Sequence, residues 1–269
     1  MQNEANESVI YEVRDHIAHL TLNRPKSLNA LNLDMIEALR LTTARAEADP
    51  QVRAILITGA GDHFMAGGDL KWFREQLELP PVKRQPMFER VIGDVHQTTL
   101  QLRRCGKPVV AAVRGAVAGF GLSLMLAADM ALAAEDAYFT LAYSNIALSP
   151  DGGATWSLPR TVGMKRAMEI ALLGDRFDAA HALAWGMVNR VVPVAELLPQ
   201  AEALALRLAA GPAEALAHTK RLINTSLNAT LAEQLHAEQR AFAASGVNPD
   251  FAEGLAAFFD KRPARFNVD

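Results

Sequence analysis

Residues 52–71 read VRAILITGAGDHFMAGGDLK, and residues 108–128 read PVVAAVRGAVAGFGLSLMLAA. In each, a strongly apolar strand, residues 52–58 or 108–113, enters a glycine-rich loop and leaves it as a helical pattern. Asp69 stands where the first of these helices begins, and a carboxylate there favours the free N–H groups of the opening turn. Strand, glycine loop and helix in that order bring unpaired backbone N–H groups to the edge of a sheet. Two occurrences predict an α/β architecture.

Working outward, residues 9–13 and 16–22 suit a β-hairpin, and Asn32 caps a helix running to about residue 48, where Asp49-Pro50 stops it. Pro80, Pro81 and Pro86 are expected to break the helix that starts at Asp69 and to precede another at about residues 87–104. The least polar stretch, residues 115–134, is long enough to cross a bilayer, but it holds Asp129 and three early glycines. It reads as a buried loop and helix. From residue 154 the chain is mostly helical, interrupted at 188–192, with Pro193, Pro212 and Pro249 near successive helix starts.

With 269 residues, 50% hydrophobic and 21% charged, the chain suits a folded protein with a substantial core. The balance of 27 Lys+Arg against 30 Asp+Glu gives no field for tracking a phosphodiester backbone, so nucleic acid is not an expected partner, nor is a membrane. Cys105 is the single cysteine, and no Cys/His cluster has zinc-ligand spacing, so no metal is expected and a reducing cytoplasm fits. The opening MQNEANESVI lacks the basic and apolar regions of a secretory signal and reads as a polar lead-in.

Nucleotide binding fails on spacing. The third glycine of G-x-G-x-x-G would fall on Phe64, no Gly-Lys-Ser/Thr is present, and residues 119–123 do not match G-x-S-x-G. Without a family to match, the glycine loops read as tight turns rather than a site.

Three stretches, Asn23-Arg-Pro-Lys-Ser-Leu-Asn-Ala-Leu31, Phe64-Met-Ala-Gly-Gly-Asp-Leu-Lys71 and Arg114-Gly-Ala-Val-Ala-Gly-Phe-Gly121, together resemble the crotonase superfamily of enoyl-CoA hydratases and isomerases. The similarity continues through Pro150-Asp-Gly-Gly-Ala-Thr155, Trp185-Gly-Met-Val188 and residues 253–262, covering roughly residues 9–265. The resemblance implies a ClpP-like superhelix of stacked ββα turns over residues 1–195, and a C-terminal helical region over 196–269 that mediates trimers or hexamers. It implies an acyl-CoA substrate and no separate cofactor, coenzyme A entering as part of the substrate. When an acyl thioester loses an α-proton or is attacked, charge gathers on its carbonyl oxygen, and fixed N–H donors stabilise it at little reorganisation cost. By the family pattern those donors are the N–H groups of Gly68 and Phe120. Lys26 and Lys71 would meet the CoA phosphates, and Leu28, Ala66, Gly67, Asp69 and Leu70 would line the path of the adenine and pantetheine. Phe258 and Lys261 would join them from a neighbouring subunit. Solvated lysines are the bland alternative.

Hydratases of the family place two glutamates where this chain has Ser123 and Tyr143, and neither replaces a carboxylate as proton acceptor near neutral pH. Asp151 instead occupies the place of a catalytic aspartate in dienoyl-CoA isomerases, ring-1,2-epoxyphenylacetyl-CoA isomerases and 4-chlorobenzoyl-CoA dehalogenases. A turn or helix N-cap is its structural alternative. His96 aligns with the dehalogenase general base, although the tryptophan preceding that base is Val95 here and a second pocket tryptophan corresponds to Tyr143. The motifs stand closest to the phenylacetyl-CoA and dehalogenase branches.

The resulting expectation is an isomerase in which Asp151 moves a proton between carbons of an unsaturated or ring acyl-CoA, with Tyr143 shaping the pocket. One alternative is dehalogenation or thioester hydrolysis with Asp151 as nucleophile and His96 activating water. Another is a non-catalytic acyl-CoA binder. Pocket walls are expected from residues 73–95.

Overall fold

Burial on both faces explains why the central strands are apolar without alternation. In the computed structural model, which describes residues 8–266, Ile55, Ile57, Val109, Ala111 and Ala133 join one buried cluster. Their neighbours Ala54, Leu56, Val110, Ala112 and Ala134 join a second on the opposite face. The polar lead-in at residues 1–7 lies outside the described residues.

Strands β1 (Val9–Arg14) and β2 (Ile17–Leu22) form the expected antiparallel hairpin. Its two turn residues, Asp15 and His16, carry φ of 50° and 62°, the left-handed pair that suits a two-residue hairpin. Helix α1 (Leu33–Ala48) begins as read, with Asn32 Oδ1 accepting from the Met35 N–H at 3.0 Å. After β3 (Ala54–Gly59) come α2 (Leu70–Glu75), capped by the Asp69 side chain, and α3 (Pro81–Arg104). Pro86 was expected to break the chain here but lies inside α3. It forfeits one hydrogen bond near an exposed end, where water can serve the freed carbonyl of Val82.

Next follow β4 (Val109–Val113), β5 (Ala116–Ala118), α4 (Phe120–Ala127), β6 (Met130–Ala134) and β7 (Tyr138–Thr140). Residues 115–134 therefore hold two strands besides the expected loop and helix. Asp129 accepts from the Val109 N–H and pairs with Lys220 at 2.8 Å. No helix among the described residues is long and apolar enough to cross a membrane. The remainder comprises α5 (Ala154–Val162), α6 (Met164–Leu173), β8 (Phe177–Asp178), α7 (Ala179–Ala184), β9 (Arg190–Val192), α8 (Leu197–Ala209), α9 (Ala213–Ser226), α10 (Leu231–Ser245) and α11 (Pro249–Phe259).

The main sheet has the order β1-β2-β3-β4-β6-β9, parallel from β2 onward, and a smaller sheet has the order β5-β7-β8. Bridges Leu31↔Gly68 and Met65↔Val117 extend the smaller sheet toward the earlier turns. Successive turns thus place one strand in the main sheet, one extended segment in the second layer and then a helix, the stacked ββα turns expected. Helix α8 seals the outer face of the main sheet with Leu197, Ala201, Leu204 and Ala205.

Candidate active site

The loops that follow the parallel strands carry the site, and polar side chains join each loop to the next. After β2, a 3-10 turn (Pro25–Ser27) leads to Leu28 and Asn29, both left-handed with φ of 53° and 54°. Asn29 is fully buried; its amide donates to the carbonyls of Ala60 and His63 at 3.0 and 2.7 Å while its Oδ1 accepts from the Arg24 N–H. Arg24 reaches on to Asp69 at 2.9 Å. His63 Nδ1 accepts from the Ala116 N–H at 3.0 Å, which ties the loop after β3 to the loop after β4.

These ties bring the two glycine loops into contact. Gly67 (φ 89°) and Gly119 (φ 51°) lie so close that a Cβ on Gly67 would stand 3.2 Å from the Ala118 carbonyl oxygen and 3.5 Å from Gly119 Cα. A side chain at either position would meet both backbone strain and its neighbour. Around Gly68, the Leu31 N–H donates to Gly67 O and the Asp69 N–H to Leu31 O, so the Gly68 N–H faces away from that ladder. Phe120 is the first residue of α4, where the helix itself offers its N–H no acceptor. Gly68 and Phe120 both line one cavity of about 480 Å³.

Asp151 and His96 border the same cavity, as do Ala66, Gly67, Leu70 and Tyr143. The Asp151 carboxylate does not cap α5; its Oδ1 accepts from the Tyr143 hydroxyl at 2.5 Å. Ser123 is buried, and its hydroxyl donates to the Asp151 main-chain carbonyl at 2.9 Å. Burial raises the Asp151 carboxyl above its ordinary range, opposed by the Tyr143 hydrogen bond and by the nearby His96 imidazole. The Tyr143 phenol is raised too, first by burial and then by the Asp151 charge.

Other sequence-derived residues stand outside this cavity. Asp69 is held by Arg24 and by the Lys71 N–H at 3.1 Å, and that hydrogen bond with Arg24 is the main influence lowering its pKa against the opposing and largest effect, burial. Lys26, Leu28 and Lys71 are exposed, with no ion pair to either lysine among the described residues. Leu28 stays close to Ala66, whose N–H donates to the Leu28 carbonyl at 3.0 Å. Phe258 and Lys261 are exposed on the C-terminal helical region, away from the cavity.

The expected 73–95 wall is present as Phe73, Phe88, Val91, Ile92 and Val95. Trp72, Phe73 and Phe88 form an aromatic triangle with centroids 5.2–5.9 Å apart. Sequence reading missed the opposite wall of Leu141, Ile146 and Leu148. Its turn rests on left-handed Ala142 and Ala147, with φ of 49° and 56°, so no glycine or proline marks it in the sequence.

Comparison with known proteins agrees with this architecture. The family model described as enoyl-CoA hydratase/isomerase matches residues 12–268. A protein described as a probable enoyl-CoA hydratase from Rhodobacter capsulatus is 39% identical, with 96% of this chain and 97% of that protein covered. The 1,2-epoxyphenylacetyl-CoA isomerase of Escherichia coli is 37% identical over 97% of this chain and 98% of its own length. The crystal structure of an enoyl-CoA hydratase from a Polaromonas species superposes with a TM-score of 0.91 at 35% identity, covering 96% of this chain and 99% of that one. Sequence and fold agree over nearly the whole length, and the chain belongs to the enoyl-CoA hydratase/isomerase family, with the crotonase fold.

Proposed function

We propose that this enzyme isomerises an unsaturated or ring acyl-CoA through an enolate, with Asp151 carrying the proton. The observation that carries this reading is that Asp151 is the one carboxylate bordering the cavity among the described residues. Hydration by a pair of carboxylates would need a second, and the two positions expected for glutamates hold Ser123 and Tyr143. A carboxylate made more basic by burial is suited to take a weakly acidic proton next to a thioester carbonyl. The Gly68 and Phe120 N–H groups would hold the developing oxyanion. Lys26 and Lys71 would meet the CoA phosphates, Leu28, Ala66, Gly67, Asp69 and Leu70 would frame the path inward, and Tyr143 would shape the acyl pocket. Phe258 and Lys261 of a neighbouring copy in a trimer or hexamer would complete the CoA site. No cofactor beyond the substrate's own coenzyme A enters this reading.

A hydrolytic reading has one specific support: His96 borders the same cavity as Asp151. There Asp151 would displace halide from a ring carbon to give an aryl ester, or CoA thiolate from the acyl carbon to give an anhydride, and His96 would activate water against that covalent intermediate. Turnover of a panel of enoyl-, aryl- and epoxy-CoA thioesters separates the two. Isomerised product without free CoA or halide supports the proposal, and release of either supports hydrolysis.

A further inference from the structure

We propose that Tyr143 is a positioning residue that makes Asp151 a one-oxygen base, occupying Oδ1 and leaving Oδ2 to exchange the substrate proton. The inference rests on the reading of Asp151 as proton carrier and goes beyond pocket shaping. Its geometric basis is the 2.5 Å hydrogen bond from the Tyr143 hydroxyl to Oδ1. Three elements face this carboxylate: the 3-10 turn Tyr143–Ile146 supplies the phenol, α3 supplies His96, and α4 supplies Ser123, which bonds the Asp151 main chain. Among the described residues, no side chain other than the phenol hydrogen-bonds the carboxylate. The turn presenting Tyr143 lies between Ala142 and Ala147, two left-handed non-glycine residues, a strained conformation that the surrounding structure must hold in place. A Cβ on Gly119 would stand 3.9 Å from Cε2 and Cζ of the Tyr143 ring. The ring therefore lies between the loop leading to Phe120 and the carboxylate, fixing one against the other.

The phenol is a donor and not an acid here, because burial and the adjacent carboxylate hold its proton firmly. In the proton transfer, the substrate C–H bond breaks, its proton forms an O–H bond with Oδ2, and the electron pair moves into the enolate. On return, the Oδ2–H bond breaks, a C–H bond forms at the second carbon, and the thioester carbonyl is restored. The Tyr143 O–H bond stays intact throughout. A single oxygen serving both carbons requires that both present the same face.

The test is the titration of the Asp151 carboxyl in the full-length protein, read by infrared difference spectroscopy with ¹³C-labelled aspartate and assigned by its loss in Asp151→Asn. Tyr143→Phe keeps the ring and removes the donor, so the midpoint is expected to move to higher pH by roughly one unit. The acid limb of kcat/KM for 3-hexenoyl-CoA should move with it, while KM changes little. An unmoved or lowered midpoint in folded Tyr143→Phe overturns the inference. If that variant fails to fold, fluorotyrosine incorporation into the wild-type chain strengthens the donor and should lower the midpoint; no movement then overturns it. The carboxyl titration needs no turnover. Full activity in Asp151→Asn would sink the proposed function, whereas an inactive Asp151→Asn with an unmoved midpoint in Tyr143→Phe sinks only the role of Tyr143.

Discussion

Burying one carboxylate in an apolar cavity has separate consequences for rate and for stability. Asp151→Asn keeps the shape and still accepts from Tyr143, so turnover should fall by roughly 10²–10⁴-fold while acyl-CoA binding persists, measured by steady-state kinetics and calorimetry. Burial raises the folded-state pKa of Asp151 above its unfolded value. A group shifted that way stabilises the fold most below the unfolded pKa, near 4, and this contribution is lost as pH rises through the raised value. At pH 8 the ionised carboxylate is thus a cost, and Asp151→Asn should raise Tm by roughly 2–4 °C for each kcal/mol relieved. The gain should vanish near pH 4 in a calorimetric series. The same shift places the acid limb of the wild-type rate above the ordinary carboxylate range. Residue type and motif order were enough to single out Asp151. Its partnership with Tyr143 was not legible, because it depends on a turn built from left-handed alanines with no punctuating residue.

At the scale of elements, the sequence revealed most where one physical signal dominated. Asn32 capping α1, the hairpin at Asp15-His16 and the apolar β4 all form as their residue types dictate. The misreadings arose where context outweighed a local signal: Pro86 is tolerated near an exposed helix end, and the short β5, β7 and β8 gain their pairing from neighbouring turns. The loops of the site depend on such cross-turn ties. Asn29→Ala removes two donated hydrogen bonds and one accepted bond from a buried position. The loss should be about 1–3 kcal/mol by urea denaturation, with kcat/KM lowered as the glycine loops lose their register. Asn29→Asp should fare no better, since it puts an acceptor where both donors were needed.

At the scale of the whole molecule, the sequence places a boundary at residue 195, just before α8 (Leu197–Ala209). Helix α8 belongs physically to the core, because it seals Leu56, Val110 and Leu132 of the main sheet. A chain ending at residue 195 should aggregate, whereas one ending at residue 211 should retain a cooperative thermal transition by circular dichroism. Beyond α8, the helices leave large apolar side chains uncovered, among them Ile223 at 67%, Phe242 at 81% and Phe258 at 77% exposure. Apolar surface of this kind favours self-association, and sedimentation should give a trimer or hexamer at micromolar concentration. A strict monomer would argue against a CoA site completed by a neighbour's Phe258 and Lys261. Whether Asp151 carries a proton or a covalently bound group decides between isomerisation and hydrolysis. The most direct measurement is turnover of an unsaturated acyl-CoA in deuterated water, with mass spectrometry of both product and protein. A proton-carrying Asp151 gives a double-bond isomer in the wild type and none in Asp151→Asn, with an unmodified protein mass. A covalent adduct on Asp151, anhydride or aryl ester, that accumulates in His96→Gln would contradict the proton-carrying role.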